Sequence, residues 1–225
     1  GRSTLVTTLQ MYKILALNCL VSAYSMSVLH SDGVKLGDYQ MVITGVILSV
    51  CFLCLNFSKP LPNLSPYRPI TRVFHPYMVC SILGQFAVHL YSIMSSTQLV
   101  SDFDSENVSA QRSDVDNVEF KPSLLNSIVF LMTTLTAVTF FVNFKGEPFM
   151  QPMKQNKIFF YSIIGLCSLI FYIASEIDPD TNELLEVVKF PSDDFRNSFL
   201  KLLVIDAAGA FVVEKVCLWT MTDLR

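Results

Sequence analysis

Six stretches of the chain are almost continuously apolar, and short polar segments rich in Pro, Asp or Asn separate them. They run Leu5–Leu29, Tyr39–Phe57, Val73–Met94, Pro122–Phe144, Ile158–Ser175 and Phe199–Met221. Crossing a hydrocarbon core of ~30 Å takes ~20 helical residues, and each stretch is of that order. Backbone groups in lipid must pair within their own segment, so runs of this length predict helices. The expectation is a single all-α membrane domain over 1–225, a bundle of six transmembrane helices.

Composition strengthens that reading. Apolar residues make up 52% of the chain and charged residues 16%, with a mean hydropathy of +0.47. Soluble domains carry nearer ~25% charged residues. The net charge of −3 and the lack of a basic cluster exclude nucleic acid as a partner. All six cysteines fall inside apolar runs, so they read as small membrane-buried hydrophobes rather than a disulfide framework. The Cys51–Cys54 pair sits in the middle of such a run, against a redox role. The opening at Gly1-Arg2, without Met or signal peptide, reads as a piece of a longer protein.

Charge then orients the bundle. Arg2, Lys59, Arg68, Arg72, Lys145, Lys154, Lys157 and Arg225 fall at one end, with only Glu147 and Asp223 as acids. Lys35, Arg112, Lys121, Lys189 and Arg196 fall at the other, among fifteen acids. Cytoplasmic loops carry the excess of Lys and Arg, which puts the first end and both chain termini in the cytoplasm. Asn107-Val108-Ser109, in the acidic segment 95–121, is a glycosylation sequon that tests this orientation.

Ionisable residues that fall within the spans include Lys13, His89, Lys201, Asp206 and Glu214. A charge at the bilayer centre costs ~3 kcal/mol on insertion scales, so such groups face a cavity or a partner. Lys13 and Lys215 lie near span ends and are expected to snorkel. Asn18, Ser22 and Ser25 share a face of the first helix, Gln85 and His89 a face of the third, and Asn126 and Thr133 a face of the fourth. With Asp206 and Glu214 of the last helix, Asn18, Ser22, Ser25, Gln85, His89 and Asn126 are candidates for lining a polar groove. Plain interhelical hydrogen bonding is the commoner use of such stripes. His89 has no second metal ligand at ligand spacing. No phosphate loop, HExxH, GxSxG or paired-carboxylate signature is present, so no catalytic residue is assigned.

Several motifs carry a family resemblance. GRSTLVTTLQMYKILALN (Gly1–Asn18), SVCFL (Ser49–Leu53), SKPL (Ser58–Leu61), Arg68-Pro69, QFAVH (Gln85–His89), PSLLN (Pro122–Asn126) and GEPF (Gly146–Phe149) follow in that order. Together they resemble the C-terminal membrane region of class V, subfamily A P-type ATPases of the yeast Spf type. The resemblance implies the last six of ten membrane helices of an endoplasmic-reticulum translocase that extracts mistargeted transmembrane helices. It further implies ATP and Mg2+ as cofactors of the parent, none of them held by this chain. The implied partners are the lipid bilayer, transmembrane-helix cargo, and the parent's N-terminal helices and cytoplasmic domains. The DKTG, TGD and GDGxND motifs of the family do not occur in this sequence. Two alternatives stay open: the membrane module of a cation or polyamine pump, and a six-helix scaffold without enzymatic activity.

Overall fold

The computed structural model describes residues 1–62, 65–103 and 121–222, and the sequon at Asn107 lies outside them. Among the described residues eight α-helices form: α1 (Arg2–Ser31), α2 (Asp38–Asn56), α3 (Pro76–Phe103), α4 (Leu124–Leu135), α5 (Val138–Asn143), α6 (Lys157–Ala174), α7 (Pro179–Leu184) and α8 (Asp193–Met221). Among the described residues there is no strand, only one antiparallel bridge between Pro60 and Met150. The protein is an all-α membrane bundle.

Local chemistry sets the helix ends. α1 stops where Gly33 takes φ 67°. There the Gly33 N–H donates to His30 O and the Val34 N–H to Leu29 O, a Schellman closure that glycine permits without strain. α3 starts with Pro76, whose missing N–H costs nothing in a first turn. Ser123, Asn156 and Ser192 cap α4, α6 and α8 by accepting N–H bonds from Asn126, Phe159 and Phe195. Asp193 and Asp194 add favourable charge to the first turn of α8.

These caps shift several expected boundaries. α3 runs on to Phe103, nine residues past Met94, and α8 begins at Asp193 rather than Phe199. The acidic segment after α6 folds a short helix, α7, behind its Asp178 cap and Pro179. The fourth span is not one helix but two, broken at Thr136–Ala137. There the Thr136 and Thr139 hydroxyls donate back to the carbonyls of Thr133 and Thr136, both at 2.6 Å. Backbone bonds at the break close over three residues instead of four, so the turn tightens and the helix is interrupted.

Among the described residues five spans are long and apolar enough to cross a bilayer: α1, α2, α3, α4–α5 together, and α6. The sixth long helix, α8, has 29 residues and is set apart by Lys201, Asp206, Glu214 and Lys215. It packs along α3 in the most extensive helix contact of the bundle. α4–α5 is the axis: 94% of its most apolar stretch is buried, against 22–33% in the other four spans. It touches α1, α3, α6 and α8, and α4 also touches α2.

The surface is apolar and part of the interior is polar. Leu15, Val46, Leu53, Leu83, Ile164 and Val212 face outwards, while Lys13, Gln85, His89, Asn126, Asp206 and Glu214 are buried. This distribution suits lipid outside and internally paired polar groups. The six cysteines are free; Cys51, Cys54 and Cys217 are buried, whereas Cys19 and Cys80 face outwards. Cys19 and Cys80 lie on the outer faces of their helices, among the apolar side chains that face outwards.

Candidate functional site

The densest polar cluster centres on Glu214 of α8, which is 1% exposed. Its Oε2 accepts from the Lys13 ammonium of α1 and from the Ser81 hydroxyl of α3. Gln85 Nε2 approaches the same oxygen at 3.1 Å, and the Tyr77 hydroxyl donates to Oε1. Lys13 donates also to the Tyr77 oxygen at 3.0 Å. Gln85 and Asn143 exchange amide bonds at 2.9 and 3.0 Å, which brings the end of α5 into the cluster. Three helices thus meet on one carboxylate, and α5 joins them through Gln85.

Lys13 does not snorkel: it is 2% exposed and paired to Glu214. The reason is tertiary. Its position on α1 faces α3 and α8, where an acid already waits, so the shorter path to a counter-charge is inward.

A second pair lies eight residues back along α8. His89 Nδ1 stands 2.9 Å from both carboxylate oxygens of Asp206, and both residues are buried. His89 Nε2 and, one turn further, Ser92 Oγ are buried without partners among the described residues. Two close approaches clamp α3 and α8 around this pair. Gly84 leaves room for Val213, and Gly209 leaves room for Val88.

The remaining candidates sit on α1 and α4. Asn18 accepts from Thr136 at 2.8 Å and donates to Thr139 at 3.2 Å, so it lines the break between α4 and α5. Ser25 accepts from Thr133 at 3.1 Å. Asn126 donates to the Lys35 carbonyl at the acidic end of the bundle. Ser22 is half-buried. Gln85 with Glu214 and His89 with Asp206 are therefore brought together, Asn18 and Ser25 bind the central span, and Asn126 stands apart.

Tyr77, Ser81, Asn143 and Lys145 belong to the cluster and escape the sequence reading. A signal for two of them exists: Tyr77, Ser81, Gln85 and His89 follow at steps of four, one buried stripe along α3. Lys145 lies just past α5, with its ammonium 4.1 Å from the centre of the Tyr77 ring. Burial first, and the neighbouring Lys13 charge second, push its pKa down to about 8, with Glu214 acting in the opposite direction.

The chemistry open to this arrangement is structural and conformational. Among the described residues no three His, Cys, Asp or Glu side chains come together as a metal site. The two most deeply buried acids are committed, Glu214 to Lys13, Tyr77 and Ser81, and Asp206 to His89. These residues do not fit a Mg2+–nucleotide complex.

Apolar faces turned outwards around a buried seam of amides, hydroxyls and ion pairs define a polytopic membrane bundle. No model of a protein family matches the chain. Over its whole length it is 40% identical to the endoplasmic reticulum transmembrane helix translocase of Aspergillus fumigatus. It is 41% identical over 95% of its length to the translocase of the same name from Saccharomyces cerevisiae. A probable manganese-transporting ATPase of Arabidopsis thaliana is 42% identical over 85% of the chain. The chain spans 16–17% of the length of these relatives. It belongs to the class V, subfamily A P-type ATPases, the family of the endoplasmic reticulum transmembrane helix translocases.

Proposed function

We propose that this chain is the cargo-pathway membrane module of an ATP-driven endoplasmic-reticulum translocase that extracts mistargeted transmembrane helices. The observation that carries the reading is identity of 39–41% to three proteins named as such translocases, along 95–100% of the chain. The parent's ATP and Mg2+ act outside this segment, whose most deeply buried acids, Glu214 and Asp206, are already paired. Asn18, Ser22, Ser25, Gln85, His89, Asn126, Asp206 and Glu214 are the proposed cargo contacts. In the closed bundle seven of the eight are buried, so cargo reaches them only when the helices part. Paired polar groups support such a step, because a cargo flank can replace the partners that separation removes.

Single substitutions Asn18→Leu, Gln85→Leu and Asp206→Leu in the intact parent test this. The expected result is slower clearance of a mistargeted helix per molecule of enzyme and weaker coupling of ATP hydrolysis to cargo. Unchanged clearance and coupling in all three would overturn it.

A second reading, the membrane module of a cation pump, is favoured by the Arabidopsis relative's name. Sealed vesicles holding the parent would then accumulate Mn2+ with ATP, and Asp206→Asn would lower the uptake.

A further inference from the structure

At the basic end of the bundle Val6, Leu9, Ile70 and Phe149 wall a narrow cavity of about 30 Å3. Gln10, Lys13, Tyr77, Asn143 and Lys145 form its polar lining. Two members of that lining are unmatched among the described residues. Gln10 Nε2 donates to the Lys145 carbonyl at 2.9 Å, which fixes how the amide is turned. Its Oε1 is left buried without a donor, on a residue 3% exposed. The second is charge. The Lys13 and Lys145 ammoniums lie 4.7 and 4.1 Å from the centre of the same Tyr77 ring, and the nearby carboxylate of Glu214 is bonded to Lys13. Lys145 is thus held beside another cation without an acid of its own, which agrees with its lowered pKa. The cavity is short of one negative charge and one hydrogen-bond donor.

We propose that this cavity binds the phosphate-monoester headgroup of an acidic lipid. Its anionic oxygens face Lys145, and its own P–OH donates to Gln10 Oε1. A phosphodiester headgroup brings the charge but no P–OH, and water brings a donor but no charge. The cavity, open on one side, takes a few oxygen-sized atoms and is too small for a nucleotide. Val6, Leu9 and Phe149 offer the start of an acyl chain an apolar wall. Inorganic phosphate shares the acid chemistry and lacks the chain. The proposal does not depend on what the parent transports.

The test uses the full-length parent in detergent, with native mass spectrometry of lipid retention. Probes are phosphatidic acid, phosphatidylcholine and inorganic phosphate. Phosphatidic acid should be retained in preference to phosphatidylcholine. Lys145→Gln should weaken that retention about fivefold, the effect of one interfacial cation, and Lys145→Arg should restore it. Lys154→Gln, an exposed lysine outside the cavity, should leave it unchanged. In the unaltered protein, phosphatidic acid should also slow acylation of the Lys145 amine, a readout that needs no variant. Inorganic phosphate protecting Lys145 as well as phosphatidic acid does would overturn the lipid assignment. Equal retention of both lipids, or no protection of Lys145 by phosphatidic acid, would overturn the site.

Discussion

Glu214 shows what a buried charge asks of its surroundings. Lys13, Tyr77, Ser81 and Gln85 all turn their polar atoms to it from two other helices. Removing one partner of a buried ion pair leaves an uncompensated charge, which costs ~3–5 kcal/mol. Glu214→Leu is therefore expected to lower the stability of the full-length protein by that order, measured as thermal unfolding in detergent. Adding Lys13→Met should recover much of the loss, because no lone ammonium then remains. A double variant no more stable than Glu214→Leu would show that the carboxylate matters for its other donors instead. At this scale the sequence identifies Gln85, His89, Asp206 and Glu214 as costly groups in need of partners. It could not name the partners, since Lys13 and Glu214 are 201 positions apart.

Helix α3 makes its closest and most extensive contact with α8. A Cβ on Gly84 would lie 2.7 Å from Val213 Cγ1, and one on Gly209 would lie 2.8 Å from Val88 Cγ1. Gly209→Ala is expected to force the helices apart at a cost of ~1–3 kcal/mol, relieved by Val88→Ala. Gly165 on α6 has nothing within 4 Å of its Cβ position. Gly165→Ala should thus be neutral or stabilise by up to ~1 kcal/mol through helix propensity. Unfolding midpoints of the three variants side by side check both expectations, and equal effects at Gly209 and Gly165 would refute the close-packing account. The element boundaries were missed even where the cap is local: α8 starts at Asp193 behind its Ser192 cap rather than at Phe199, because hydropathy ends where the polar first turn begins. The α4–α5 break was missed too: hydropathy registers Thr136 and Thr139 as neutral, while their hydroxyls compete with the backbone for its carbonyls.

For the whole molecule, orientation is the property that charge alone addresses. The basic end, with Arg2, Lys59 and Lys145, is expected to be cytoplasmic, and the acidic end to face the lumen. Asn107 should then carry a glycan in microsomes that Asn107→Gln removes. A sequon placed between Lys145 and Asn156 should stay unmodified; the reverse pattern would invert the topology.

By itself the sequence determined the solvent and the class. Long apolar runs can satisfy their backbone in lipid only as helices, so a membrane bundle follows from hydropathy and length. It determined also which residues could not stay unpartnered at membrane depth. Tertiary structure alone decided that the fourth span is the axis, because each apolar run looks equally fit to face lipid until packing encloses one of them. It alone decided that Lys13 turns inward, that Tyr77 and Lys145 join Glu214, and that Gln10 keeps an unanswered oxygen. Those outcomes depend on which helices meet and at what height. Periodicity within one helix says which residues share a face, and carries nothing about what that face will touch.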